Sequence, residues 1–302
     1  MTPPEPSLRI GVDLGGTKIE AIAIDREGRE RFRERVATPS GDYAGTVRAV
    51  ADLARAAMMG ETAAVGVGIP GTVSPATGLI KNANSVCLIS RPLDRDLADA
   101  LGQPVRLAND ADCFVLSEAT DGAAANAAIV FGVILGTGVG GGLVVNKQLV
   151  RGPNAITGEW GHNPLPWPRP EERPGPKCYC GLDGCIETFL SGGGLARDYT
   201  AITGRNLPAL EVAAAARDGD SAALAVMETY IERLARATAT VINMIDPHVI
   251  VLGGGLSNIP WLYDAVPPLW PDHVLSDTVV TRLVMPKHGD ASGVRGAAWL
   301  WP

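Results

Sequence analysis

The chain has 302 residues, 46% of them hydrophobic and 20% charged, with a formal net charge of −7. That is the composition of a globular protein with chain enough for two core-bearing lobes, and it excludes long disorder. The acidic balance and the 5% aromatic content exclude a nucleic-acid partner, which needs clustered Lys and Arg or stacking rings. No apolar run reaches the roughly 18 residues that span a bilayer, and MTPPEPSLRI lacks the regions of a signal peptide, so a cytoplasmic protein with no membrane partner is expected.

In chain order, residues 9–36 read as a β-meander. Ile10 and Val12 alternate before a glycine-rich turn, Ile19 to Ile24 continue apolar, and Asp25 to Gly28 turn into Arg31 to Val36. Tyr43 to Met59 has helical spacing through Val47, Val50, Leu53, Ala54 and Ala57. Ala63 to Ile69 predicts a buried strand, Leu93 to Leu101 a helix, Val105 to Leu107 a strand ending at Asn109 and Asp110, and 111–125 an Ala-rich helix. From Ala128, IVFGVILGTGVGGGLVV repeats the plan of IGVDLGGTKIEAIAI (strand, Gly-Thr turn, strand), which points to an internal duplication. The proline-rich stretch 164–176 should lack regular structure. Helices should cover 187–198 and 222–245, His248 to Leu252 a strand running into Gly253, Gly254 and Gly255, and Gly293 to Leu300 a closing helix. The boundary between lobes is expected near residues 120–128.

Asp13-Leu14-Gly15-Gly16-Thr17-Lys18 lies at a strand end, where adjacent glycines bend the chain and can bring N–H groups to an anionic oxygen. It is not a Walker A loop, because the spacing differs and a strand follows; a plain hairpin turn is the alternative. Gly136-Thr137-Gly138-Val139-Gly140-Gly141-Gly142 contains G-x-G-x-x-G but does not open a helix in a βαβ unit, which disfavours a dinucleotide-binding dehydrogenase. As a pair, the two Gly-Thr loops suit the grip of one polyphosphate.

The strongest constellation is His162 with Cys178, Cys180 and Cys185 in CYCGLDGC. One imidazole and three thiolates form the closed tetrahedral set of structural zinc. Cys87 and Cys113 read as core residues, and His248, His273 and His288 show no partner spacing. Asn109-Asp110-Ala111-Asp112 joins a strand to a helix, so it is either an N-cap or a place where a carboxylate accepts a hydroxyl proton; Asp110 and Asp112 compete for that role. Glu159 and Glu187 flank the proposed metal ligands, which would hold both acids in place for a polyhydroxylated ligand.

Together DLGGTK, NDAD at 109–112, GTGVGGG, GEWGH at 158–162, CYCGLDGCIE and GGGLSN at 253–258 resemble the ROK family of sugar kinases, in the family's order from about residue 9 to the C-terminus. KNANS at 81–85, GEWGHNPLPW and KHGDASGVRGAAWLWP resemble in particular bacterial fructokinases of the mannofructokinase type. The resemblance implies an α/β, actin/hexokinase-like (ribonuclease H-like) fold of two lobes with a duplicated β-meander and a central cleft. An N-terminal lobe of residues 1–125 would carry a C-terminal helix, about 290–302, packed back on it, and 126–289 would form a second lobe with the zinc loop.

The implied activity is ATP-dependent phosphorylation of a hexose, fructose first, with glucose or N-acetylglucosamine as the alternative and a non-catalytic sugar sensor as the rival class. Asp110 matches the family's base. Asn84, Asn109, Glu159, His162 and Glu187 match its sugar contacts. Gly15, Gly16, Thr17 and Lys18 with Thr137, Gly138, Gly140, Gly141 and Gly142 match phosphate contacts, Gly254 and Gly255 lie near adenosine, and Asp13 reaches Mg²⁺ through water. ATP, Mg²⁺ and structural Zn²⁺ are the implied cofactors and a homodimer the implied assembly. The gap between His162 and Cys178 is longer than in many members. Family repressors carry a DNA-reading domain ahead of this region; with residues 1–8 before the first strand, none is expected here.

Overall fold

The structure, a computed structural model, describes residues 7–83 and 85–301. The chain begins with β1 (Leu8–Leu14), β2 (Lys18–Asp25) and β3 (Glu30–Ala37), followed by α1 (Tyr43–Met58). Asp42 starts α1 by accepting the Gly45 N–H at 2.9 Å, and Met59 ends it in the left-handed region. Next come β4 (Ala63–Ile69), the two-residue β5 (Thr72–Val73) and β6 (Ile80–Lys81), α2 (Leu93–Leu101), β7 (Val105–Asn109) and α3 (Asp110–Thr120). The sheet order is β3-β2-β1-β4-β7, with β1, β4 and β7 parallel. Ile10, Val12, Val65 and Val67 are wholly buried, as strands covered on both faces require.

The meander recurs as β8 (Ile129–Leu135) and β9 (Val139–Val145), followed by β10 (Gln148–Leu149). Leu135 pairs with Val139 across the second hairpin as Leu14 pairs with Ile19 across the first. Then follow α4 (Ile186–Leu190), α5 (Gly192–Thr203), α6 (Ala209–Arg217), α7 (Ser221–Ile245), β11 (Val249–Gly253), α8 (Leu262–Ala265), β12 (Arg282–Val284) and α9 (Ser292–Ala298). Within residues 126–289 the strands of the second sheet run β10-β9-β8-β11-β12. Its core gathers α7 with Trp270, whose Nε1 donates to Thr238 Oγ1 at 2.9 Å.

Two compact units result. The first holds the chain up to Ala125, Lys147–Thr157 and the stretch from Asp290; the second holds Asn126–Asn146 and Gly158–Gly289. Residues 147–157 thus belong with the first unit, although they lie inside the stretch 126–289 expected to form the second lobe. Within the first unit α9 presses against the sheet and α3 at glycines. A Cβ on Gly66 would stand 1.9 Å from Ala297 O, and one on Gly296 would stand 1.6 Å from Cys113 O.

Three expectations change. The helix expected over 187–198 is two helices, because the chain leaves the helical region at Ser191, whose hydroxyl accepts the Gly194 N–H and starts α5. The helix expected over 111–125 stops at Thr120, and α6 was not anticipated. The proline-rich stretch contains a helical turn at Pro170–Glu172, held by Glu172, which is buried against Arg236 and Arg233 of α7. Among the described residues no helix is long and apolar enough to cross a membrane.

Candidate active site

In the first unit, β1 delivers Asp13 to the edge of the Gly15–Lys18 turn. The turn closes by a Gly15 N–H bond to Lys18 O at 3.0 Å, and Thr38 Oγ1 donates to Gly15 O at 2.8 Å. This leaves Gly16, Thr17 and Lys18 exposed. At the end of β7, Asn109 caps α3 by accepting the Ala111 N–H at 2.9 Å, while its Nδ2 donates to Gly71 O at 3.2 Å. Asp110 follows and also accepts from Ala111 N. The cap reading is therefore satisfied by Asn109.

Asp13 and Asp110 line one cavity of about 310 Å³ with Gly15, Gly16, Pro70 and Ser85. Desolvation, and next the charges of Asp110 and Glu20, raise the Asp13 pKa from 3.8 to about 6. The Asp110 side chain is exposed on the cavity side but ringed by protein elsewhere. That desolvation raises its pKa against the N–H bonds that favour the charged form. Two carboxylates sharing one cavity are a fit for a divalent cation, which would relieve their repulsion. Glu20 is held apart by Arg33 and Arg35, at 2.5 and 2.7 Å.

In the second unit, His162, Cys178, Cys180 and Cys185 place their ligand atoms within 4.8 Å of one another. His162 Nδ1 is 3.5 Å from Cys178 Sγ, and the Sγ atoms of Cys180 and Cys185 are 3.6 Å apart. These are separations that four ligands on one tetrahedral ion require, and the donor set suits zinc. His162 Nε2 lies 3.0 Å from the Tyr179 hydroxyl, with the rings edge to face. Partial desolvation, then the charges of Glu187 and Glu159, raise the pKa of Tyr179 although its side chain is largely exposed.

Glu187, in the first turn of α4, accepts the Val139 N–H at 2.9 Å, and its other oxygen is 3.9 Å from Cys178 Sγ. The Gly136–Gly138 turn is also tied to α5 by the Gly192 N–H bond to Gly136 O at 2.8 Å. Gly141 and Gly142 are not in this turn. They are buried within β9, where the Trp160 indole donates to Gly140 O at 2.8 Å and a Cβ on Gly141 would stand 2.8 Å from the Trp160 ring. Around this turn Thr137 is exposed, and Gly136, Gly138 and Gly140 are half-buried. Gly254 and Gly255 are exposed; Gly254 has φ +78° and lies against Leu135 O, an approach closed to any residue with a Cβ.

The structure thus gathers Asp13, Gly15, Gly16 and Asp110 around one cavity, and Glu159, His162 and Glu187 around the cysteine cluster. Asn84 lies outside the described residues. Tyr179 was missed, although its place between two metal-ligand cysteines was the available signal. Cys113 is buried as expected, whereas Cys87 is half-buried, and His273 stacks on Trp167.

The sequence model of the ROK family matches residues 9–302. N-acetyl-D-glucosamine kinases of Yersinia enterocolitica and Vibrio cholerae are 41% and 42% identical over 296 residues, covering 96% of this chain and 98% of theirs. A ROK hexokinase structure from Thermus thermophilus is 31% identical with a TM-score of 0.86 over 97% of both chains. A ROK family glucokinase from Streptomyces griseus, in complex with glucose and AMPPNP, is 28% identical with a TM-score of 0.77 over 96% of this chain and 98% of its own.

Proposed function

Because the chain belongs to the ROK family and has its actin/hexokinase-like α/β fold, we propose that it transfers the γ-phosphoryl group of ATP to a hydroxyl of N-acetylglucosamine. The observation that carries this reading is the full-length similarity to N-acetyl-D-glucosamine kinases, taken with the Asp13 and Asp110 cavity. The motif resemblance suggested fructose; the Yersinia and Vibrio relatives are instead kinases of the amino sugar that was its alternative.

Asp110 is the base. Its raised pKa suits a group that takes a proton late, when the attacking oxygen has become acidic. Gly16, Thr17 and Lys18 of the first turn and Thr137 of the second carry exposed polar groups for the ATP phosphates, with the half-buried Gly138 beside them, and Gly254 and Gly255 leave backbone open to the nucleoside. Asp13 would hold Mg²⁺, directly or through water, and bound Mg²⁺ supplies neutralisation of phosphate charge. Asn109, Glu159, His162 and Glu187 take sugar hydroxyls. His162 turns Nδ1 to the cysteines and leaves Nε2, now on the exposed Tyr179 hydroxyl, for the sugar. Zinc on the four ligands would fix this loop, and its role is structural because the set is closed.

The test is kcat/KM for N-acetylglucosamine, glucose, mannose and fructose with ATP. N-acetylglucosamine should lead by about tenfold or more, the discrimination expected of a pocket that pairs an acetamide's polar groups. Fructose leading would return the reading to fructokinase, and no ADP release with any sugar would favour a silent sensor.

A further inference from the structure

A second cavity of the first unit, about 570 Å³, shares no lining residue with the Asp13 and Asp110 cavity. Its volume falls in the range of small-molecule sites, about 300 to 1,000 Å³. In a chain of net charge −7 its wall nevertheless brings together Arg106, Lys147 and Arg151, with Asp94 as its one acid. Both guanidiniums are anchored by a main-chain carbonyl. Arg106 Nη1 donates to Leu300 O at 2.7 Å while its plane lies 4.1 Å from the Trp301 ring centre, and Arg151 Nη2 donates to Leu107 O at 3.1 Å. A guanidinium has five donors, so a single carbonyl bond leaves the fork able to take an oxyanion.

The wall also carries two buried polar atoms that make no hydrogen bond among the described residues, Asp94 Oδ1 and Trp299 Nε1. Buried polar atoms nearly always have partners, and here one acceptor and one donor belong to two residues of the same wall. Charge alone would suit inorganic phosphate. An added acceptor and donor beside an apolar floor that includes Leu107 and Leu116 suit an anion with a hydroxylated body.

We infer that this cavity is a second ligand site, which binds a sugar phosphate: the phosphate on Arg106, Lys147 and Arg151, and sugar hydroxyls on Asp94 and Trp299. The inference does not rest on which sugar the catalytic site accepts.

The experiment is isothermal titration of the full chain with glucose 6-phosphate, with the catalytic site first saturated by N-acetylglucosamine and a non-hydrolysable ATP analogue. The expected result is one binding event per chain that weakens with salt, and by about tenfold or more in the Lys147→Gln/Arg151→Gln double variant, the loss expected for bonds to a charged group. Lys147→Gln alone, which changes an exposed side chain, keeps the test intact if the double variant does not fold. Inorganic phosphate, titrated in the same way, should bind more weakly, and Asp94→Asn should reduce the advantage of the sugar phosphate over it. No binding with the catalytic site filled, or an affinity unchanged in both variants that replace Lys147, overturns the site. Inorganic phosphate binding as tightly as glucose 6-phosphate overturns the sugar-phosphate assignment.

Discussion

Glu187 Oε2 accepts the Val139 main-chain N–H at 2.9 Å, and so fastens the turn Gly136–Gly138 to the helix that begins just after Cys185. The same oxygen would lie 2.5 Å from a Cβ on Gly138. Glu187→Ala should lower kcat/KM by about 10- to 100-fold, the loss expected when a buried N–H loses a charged acceptor. Gly138→Ala should reproduce much of that loss by pushing the carboxylate off Val139. Steady-state kinetics of both variants and their combination form a cycle, in which a double variant no worse than Glu187→Ala shows that the substitutions break one interaction. Full additivity would mean that the glycine acts on something else.

Asp110→Asn keeps the shape of the residue after the α3 cap, because Asn109 supplies the capping bond to Ala111. A loss therefore reports the missing carboxylate charge and proton acceptance and not a broken cap. Single-turnover phosphorylation should slow by at least about 10²-fold, while affinity for an ATP analogue changes little. A near-normal rate would remove Asp110 from the role and turn attention to Asp112.

Metal analysis should find about one zinc per chain, as a closed three-cysteine, one-histidine set implies. Without a cation, desolvation and the neighbouring thiols push Cys185 up to about 12, so it remains a thiol, and zinc binding must displace its proton. Cys178→Ser should abolish stoichiometric zinc and raise KM for sugar more than KM for ATP, because Glu159, His162 and Glu187 surround that loop. Zinc-free protein with unaltered sugar KM would contradict both points.

What the sequence made legible follows from periodicity and from chemistry concentrated in short strings. The paired meanders alternate apolar residues around Gly-Thr turns, and the cysteines lie within eight residues, so both could be read without a partner in view. Glu187's bond to Val139 spans 48 positions and has no local signature. The packing of Gly141 against Trp160 was not legible, because sequence does not distinguish a turn that needs backbone freedom from a strand that needs an absent Cβ. The break at Ser191 was hidden because Leu190, Leu195 and Tyr199 keep an apolar rhythm across it.

Glu172 is the clearest case of a residue that only the fold explains. It lies in a proline-rich stretch expected to lack regular structure, yet its side chain is 1% exposed and accepts from Arg236 Nη2, at 2.8 and 2.9 Å, and from Arg233 Nε at 2.7 Å. Arg236 also donates to Pro166 O and Trp167 O, so the pair pins the loop to α7. Glu172→Ala takes the closest carboxylate from the buried Arg236, which keeps Glu232 at 3.3 Å, and one of two from Arg233, which keeps Asp198, and should cost about 3 kcal/mol in urea unfolding. Combining it with Arg236→Met should recover part of the loss, since the second change removes the stranded charge. A cost below about 0.5 kcal/mol would mark the pair as dispensable.

Asp13 gives a pH dependence of the opposite sign to an ordinary salt-bridged carboxylate. Its pKa in the fold is about 6 against 3.8 in the reference state, so between these values the folded chain holds a proton that the unfolded chain has lost. Stability therefore falls as pH rises through this window, and above it the ionised Asp13 carries the full penalty, at most about 3 kcal/mol for a shift of this size. In metal-free buffer Asp13→Asn should be more stable than the parent chain at pH 8, with the advantage vanishing near pH 4. Adding Mg²⁺ at pH 8 should stabilise the parent and not the variant, because a ligand stabilises only a fold that binds it. The variant should nevertheless lose kinase activity. Urea unfolding at the two pH values, with and without Mg²⁺, checks each arm, and an advantage that does not change with pH would show that the substitution acts through packing and not through the charge of Asp13.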